Sequence, residues 1–200
     1  MTSYHELRDV ALECVATVTS SINCSANEQS TDIEQKSSSS DYVTSLDRQI
    51  ESETVQFIKE NRASDGILGE EGAFTTGTSG IRWIIDPIDG TSNFVYGIPY
   101  FSISIAIEAE GEIVAGVVAD LSSNDIFDAV KGHGSRCNNK IITVNDNDSL
   151  QSAIVTTGFS YSLNEGSFKG ACCNTFFLEL AIFVASVLLL WTFAGLLRAV

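Results

Sequence analysis

A layered α/β fold with a largely antiparallel or mixed sheet is predicted by the order of the sequence patterns. Helical periodicity dominates the chain as far as Asn61, and a succession of short strand-like segments runs onward from Ile81. Turn residues separate those segments at short intervals, and no internal repeat interrupts the order. Apolar residues make up 44% of the 200 residues, enough for a sizeable core and too many for a disordered chain. The length fits one domain, or a larger fold cut short.

The first helix follows from Leu7, Val10, Ala11, Cys14, Val15 and Val18 at helical spacing, with Glu6, Arg8, Asp9 and Glu13 on other faces. Asn27 to Ser40 is polar, ends in a serine run and reads as a loop. A second helix is predicted from Ser45 to about Asn61, with Ile50, Val55, Phe57 and Ile58 on its apolar side and Ser45 as cap. After an Asp65-Gly66 turn, Ile67-Leu68 runs into Gly69-Glu70-Glu71-Gly72. Ile81 to Ile85 reads as a buried strand stopped by Asp86-Pro87. Thr91 to Tyr96 reads as a brief helix closed by Gly97 and Pro99. Strands follow at Phe101 to Glu108, with Ile103, Ile105 and Ile107 on one face, then at Ile113 to Ala119, Ile126 to Val130 and Ile154 to Thr157. Glu110-Gly111, Gly132-His133-Gly134 and Asn138-Asn139 supply turns between them.

Charge narrows the function. Eleven Lys and Arg against 26 Asp and Glu give a net −15, and no basic stripe is present to neutralise phosphates, so a nucleic-acid partner is excluded. Carboxylates in such excess suit a protein that holds cations. Five scattered cysteines (Cys14, Cys24, Cys137, Cys172, Cys173) fit neither a disulfide framework nor a zinc site, which points to reduced thiols in the cytoplasm. The opening MTSYHELRDV has no basic n-region and no apolar h-region, so no secretory signal is expected.

The densest chemistry lies in Trp83-Ile84-Ile85-Asp86-Pro87-Ile88-Asp89-Gly90-Thr91-Ser92-Asn93. A strand delivers Asp86 to its carboxyl end, Pro87 fixes a turn, and Asp89 follows closely enough to share a pocket. Gly90 lets backbone approach a ligand, and Thr91 opens a helix whose first N–H groups suit an anion. Acids beside an anion site conflict unless cations stand between them, which implies magnesium bridging carboxylates and a phosphate. A lone Asp-Gly pair would be an ordinary solvated turn; two acids, a glycine and a hydroxyl packed behind a buried strand favour the functional reading. An EF-hand loop counted from Asp86 fails, because its third, fifth and twelfth positions are Ile88, Gly90 and Gly97.

Asp86-Pro87-Ile88-Asp89-Gly90-Thr91-Ser92-Asn93-Phe94 resembles the signature of the inositol monophosphatase family, lithium-sensitive and magnesium-dependent phosphomonoesterases. Lys36 to Asp47 (KSSSSDYVTSLD) resembles that family's loop and D-x-V-T-x-x-D element, and Gly69-Glu70-Glu71 resembles its metal-binding glutamate motif. Gly116 to Asp120, Gly132 to Asn139 and Thr157-Gly158-Phe159-Ser160-Tyr161 are similar to further family segments, in order. The resemblance covers roughly residues 5 to 162 and implies the N-terminal portion of a layered α-β sandwich of the sugar-phosphatase type.

The resemblance implies roles residue by residue. Glu70, Asp86 and the Ile88 carbonyl would hold one Mg2+, and Asp86 and Asp89 a second, with Asp86 bridging. Glu70 and the Thr91 hydroxyl would orient the attacking water, and the Gly90 and Thr91 N–H groups would hold phosphate oxygens. Asp47 would act from behind, on Thr91 or on a water at the metal. Glu71 is expected to be a solvated neighbour, and His5 and His133 surface residues. The implied reaction is hydrolysis of a phosphate monoester, foremost inositol monophosphate, with histidinol phosphate, fructose bisphosphate or a nucleotide as alternatives. Intact members of such a family are expected to be homodimers.

Residues 1–165 therefore read as part of a catalytic domain, and residues 166–200 as something different. Leu180 to Leu197 carries no charge and is a membrane-span candidate by length. A noncatalytic, membrane-anchored remnant is the rival this raises. Read one base out of phase, however, Phe183 to Val200 can spell R-R-x-G-S-A-A-L-D followed by V-A-A-G-R, and the Trp191-Thr192 junction is forced to the aspartate codon GAC. That order resembles the family's later segment. The favoured expectation is thus a frame shift between Ser162 and Ala171 rather than a membrane anchor, with impaired activity in the chain as written.

Overall fold

The computed structural model describes residues 3–25, 33–35 and 42–144. Helix α1 (Tyr4–Ser25) precedes a small antiparallel pair, β1 (Ile33–Gln35) and β2 (Tyr42–Thr44), which leads into α2 (Ser45–Asn61). Eight further strands build one sheet: β3 (Gly66–Gly69), β4 (Phe74–Thr75), β5 (Ile81–Asp89), β6 (Ser102–Ala109), β7 (Glu112–Asp120), β8 (Ile126–Val130), β9 (Ser135–Cys137) and β10 (Lys140–Ile142). Helix α3 (Thr91–Tyr96) lies between β5 and β6. The strand order is β10-β9-β8-β7-β6-β5-β3-β4, antiparallel throughout except for the parallel β3–β5 pair. The mixed sheet expected from the sequence is present.

Helices α1 and α2 cover one face of this sheet. Leu7, Ala11, Cys14, Val15 and Val18 of α1 are fully buried against Ile103, Ile105 and Ile107 of β6 and Ala115 and Val117 of β7. Trp83 and Ile85 pair across with Ile107 and Ile105, so the aliphatic stripes of successive strands fall on the same side. Arg8 reaches from α1 into the sheet, where its Nη1 donates to Asp128 Oδ2 at 3.0 Å; Arg136 Nη2 donates to the same oxygen at 2.7 Å.

Several boundaries differ from the sequence expectation. The cap of α2 is Thr44, not Ser45: its side chain accepts the Asp47 N–H while the Asp47 carboxylate accepts the Thr44 N–H, a complete capping box. Strand β5 does not stop at Ile85 but continues through Pro87 to Asp89. Strand β6 is buried on both faces, because Ser102, Ser104 and Ala106 are covered as well as the isoleucines. Strands β9 and β10 were legible only as turns, since neither carries an apolar alternation. The Glu110-Gly111 turn joins β6 to β7 with both residues left-handed (φ 54° and 82°), as a two-residue hairpin requires. The predicted strand at Ile154 to Thr157, the Thr157 to Tyr161 motif and the apolar tail lie outside the described residues. Among the described residues no helix is long and apolar enough to cross a membrane.

Candidate active site

The acids gather where β5 ends. Strands β5 and β6 keep regular register from Ile81↔Ala109 to Asp86↔Ser104, and then slip so that Asp89 lies opposite Ser102. Side chains of a regular strand alternate, so acids three positions apart would face opposite sides. The bulge supplies one extra residue. Since Ser102 and Ser104 share a face, their partners Asp86 and Asp89 share one too. Pro87 sits inside the bulge, where its missing N–H interrupts no ladder bond.

Glu70 arrives from β3, the strand parallel to β5, so the two carboxyl ends lie side by side. The Glu70 N–H donates to the Ile85 carbonyl at 3.1 Å, and its carboxyl group hydrogen-bonds that of Asp86. Burial, then the charges of Glu70 and Asp89, push Asp86 up to about 9. Burial and Glu70 push Asp89 up to about 6.

Asp47 links the helix cap to this site. Its Oδ2 serves the Thr44 N–H at 2.9 Å and the Thr44 hydroxyl, while its Oδ1 stands 3.0 Å from the Thr91 hydroxyl. Thr91 Oγ1 also lies 2.9 Å from the Ile88 carbonyl, leaving that oxygen's second lone pair for another partner. Gly90, the N-cap of α3, is left-handed at φ 89°, and a Cβ there would stand 2.8 Å from the Tyr100 carbonyl. Among the described residues no side chain caps the N-terminus of α3 at Gly90.

The donor set fits a hard divalent cation. Among the described residues Asp86 Oδ1 is buried without a hydrogen-bond partner, and its neighbours are acids, so a cation would satisfy the orphan oxygen and the repulsion together. Among the described residues no three acidic, histidine or cysteine side chains form a ready cage. Mutual repulsion of acids opposes such a cage until a positive charge is present.

Two other sequence readings change. Glu71 is half-buried rather than a freely solvated neighbour, and its N–H donates to Glu51 Oε2 at 2.8 Å. His5 and His133 are exposed as expected, but they meet edge to face with ring centroids 4.4 Å apart. The residues the sequence reading passed over are Thr44 and Glu51. The buried stripe of α2 is Asp47, Ile50, Glu51, Thr54 and Ile58. Asp47 stands three positions before Ile50 and Glu51 three before Thr54, so the three-residue spacing of one helix face places both acids beside the inward-facing stripe.

The sequence profile of the Inositol monophosphatase family matches residues 3–182. The chain belongs to the inositol monophosphatase family. It is 41% identical over 125 residues to the Nus factor SuhB of Pasteurella multocida (strain Pm70), covering 62% of this chain and 47% of that protein. It is also 41% identical over 119 residues to the inositol-1-monophosphatase of Rhizobium meliloti (strain 1021), covering 59% and 45%. A solved IMPase/NADP phosphatase complexed with Mg2+ and phosphate superposes with a TM-score of 0.64 at 27% identity, over 74% of this chain and 56% of its own. The chain spans about half the length of the curated relatives it matches. The inositol monophosphatase family match extends past Tyr161, where the motif resemblance ends.

Proposed function

We propose that this chain contributes the front half of a divalent-metal phosphomonoesterase site, with Mg2+ as the metal and inositol monophosphate as the foremost substrate. The observation that carries the reading is Asp86, whose Oδ1 is buried without a hydrogen-bond partner among the described residues, beside Glu70 and Asp89. Glu70, Asp86, Asp89 and the Ile88 carbonyl would hold the metal. When bound, Mg2+ would neutralise ester charge and act as a Lewis acid on the phosphoryl oxygens. Family membership and the Mg2+- and phosphate-bound relative support this assignment.

The chain's own groups divide the remaining work. Asp47 fixes the Thr91 hydroxyl through Oδ1, so Thr91 can accept a hydrogen bond from the attacking water while giving its own proton to Asp47. Glu70 takes a proton from that water as general base. The backbone N–H groups of Gly90 and Thr91 bind phosphate oxygens; the closeness of Gly90 to the Tyr100 carbonyl leaves no room for a side chain there. A cytoplasmic setting agrees with the reduced-thiol reading of the cysteines. Histidinol phosphate, fructose bisphosphate and nucleotides remain the alternative esters.

The test is a thermal-shift titration with Mg2+, paired with phosphate release from inositol 1-phosphate, fructose 1,6-bisphosphate and histidinol phosphate. Mg2+ should raise the Tm of the chain, and Asp86→Asn should remove that rise. A rise that survives in Asp86→Asn overturns the metal assignment, and release from another ester alone overturns the inositol phosphate assignment.

A further inference from the structure

We propose that Glu51, a buried acid on α2, is the positioning residue that sets the placement of Glu70; this rests on the phosphatase reading above. The segment from Gly69 to Ala73, which carries Glu70, is closed by its backbone on two sides. The Gly69 N–H donates to the Ala73 carbonyl at 2.7 Å, and the Glu70 N–H to Ile85 at 3.1 Å. Three amides of the segment remain, and those of Glu71 and Ala73 share one acceptor. Both donate to Glu51: Glu71 N–H to Oε2 at 2.8 Å and Ala73 N–H to Oε1 at 2.9 Å. One carboxylate thus clamps the turn with both oxygens, in charge-assisted bonds shielded from water, at 5% exposure.

Gly69 is the other half of the device. A Cβ at that position would stand 2.2 Å from Glu51 Oε2 and 2.5 Å from its carboxyl carbon. Gly69 is not among the left-handed glycines, so its backbone would accept any residue. The three atoms nearest to that Cβ all belong to Glu51. The residue before Glu70 is bare so that an acid from another element can seat beneath the turn. Glu51 and Asp47 stand one helical turn apart, and α2 therefore holds the Glu70 side and the Thr91 side of the site on a single rigid rod.

The experiment uses the full 200-residue chain. Amide hydrogen exchange of Glu71 and Ala73 is measured without metal, and the Mg2+ concentration giving half the thermal shift is measured alongside. Glu51→Gln keeps the shape but turns an NH2 toward one of the two N–H groups. It should speed exchange of at least one of these amides by about tenfold or more and raise the half-effect Mg2+ concentration by a similar factor. Gly69→Ala should do the same, and should add nothing further in a Glu51→Ala background, because the clash is then gone. It also serves where Glu51→Gln fails to fold. Unchanged exchange at both amides overturns the clamp. Faster exchange with an unchanged Mg2+ response shows that Glu51 is only structural and overturns its positioning role. A wild-type chain with no Mg2+ response at all overturns the phosphatase reading, and the role of Glu51 falls with it.

Discussion

Asp86 and Asp89 make the metal-free protein sensitive to base. Their carboxyl groups rise from an ordinary 3.8 to about 9 and about 6, so between these values the folded chain holds protons that the unfolded chain has released. Stability must then fall as pH rises through that window. Metal-free Tm is expected to be higher at pH 5 than at pH 8, with the slope flattened in Asp86→Asn, and scanning calorimetry across that range would reveal it. A rising Tm would mean that the acids are not buried together. Gly90 gives a second expectation at this scale. Gly90→Ala places a side chain in a left-handed position against the Tyr100 carbonyl, which should cost on the order of 1–2 kcal/mol or more. Urea unfolding would measure the loss.

At the scale of elements, the start of α2 and its exit are both fastened by acids. Thr44→Ala removes the capping box and should cost about 1 kcal/mol by urea denaturation. Asp47 would lose the Thr44 hydroxyl and keep the Thr44 N–H, so the Thr91 hydroxyl would be held less firmly. At the exit, the Asp65 carboxylate accepts Arg62 Nε at 2.8 Å and Trp83 Nε1 at 2.9 Å, tying the end of α2 to β5. Burial alone would raise Asp65, but bonds from Arg62, Ser79 and Trp83 outweigh it and hold the group below its ordinary 3.8. The stabilisation is therefore complete above that pH and is lost as pH falls through the lower folded value. Asp65→Asn should be less stable than wild type at pH 7, and the gap should close toward pH 2. A gap independent of pH would show that the charge of Asp65 contributes nothing.

For the whole molecule, the joint between α1 and the sheet depends on one carboxylate shared by two arginines. Asp128 and Arg8 are 3% and 9% exposed, so removing the acid leaves Arg8 with its ion pair to Asp9 at 2.7 Å as its remaining charge partner. Asp128→Ala should lower stability measurably in urea unfolding, and a double cycle with Arg8→Met should recover part of the loss. This joint was not readable in the sequence, because Arg8 and Asp128 lie far apart and neither stands in a motif. The layered α/β class was readable, since the helical stripe through Leu7, Ala11 and Val18 and the isoleucines of β6 announce their periods. Asp86, Asp89 and Thr91 were readable from local density of chemical types. Glu51 was not, because its work is done on backbone amides twenty positions away. Length of β5 was misjudged for a physical reason: Pro87 ordinarily ends a strand, and only a bulge lets the pairing resume at Asp89.

That bulge makes the site a matter of counting. Side-chain direction along β5 is an odd-or-even property, and the surplus residue between Asp86 and Asp89 converts an odd separation into an even one. A substitution at Pro87 or Ile88 leaves the parity intact, whereas loss of either residue restores strict alternation. Asp89 would then sit two places from Asp86 on a regular ladder, opposite Ser102 with nothing spare. The two acids would still share a face, but the slack stretch that brings the Ile88 carbonyl within 2.9 Å of the Thr91 hydroxyl would be gone. Evolution can thus vary the letters of this segment more freely than its length.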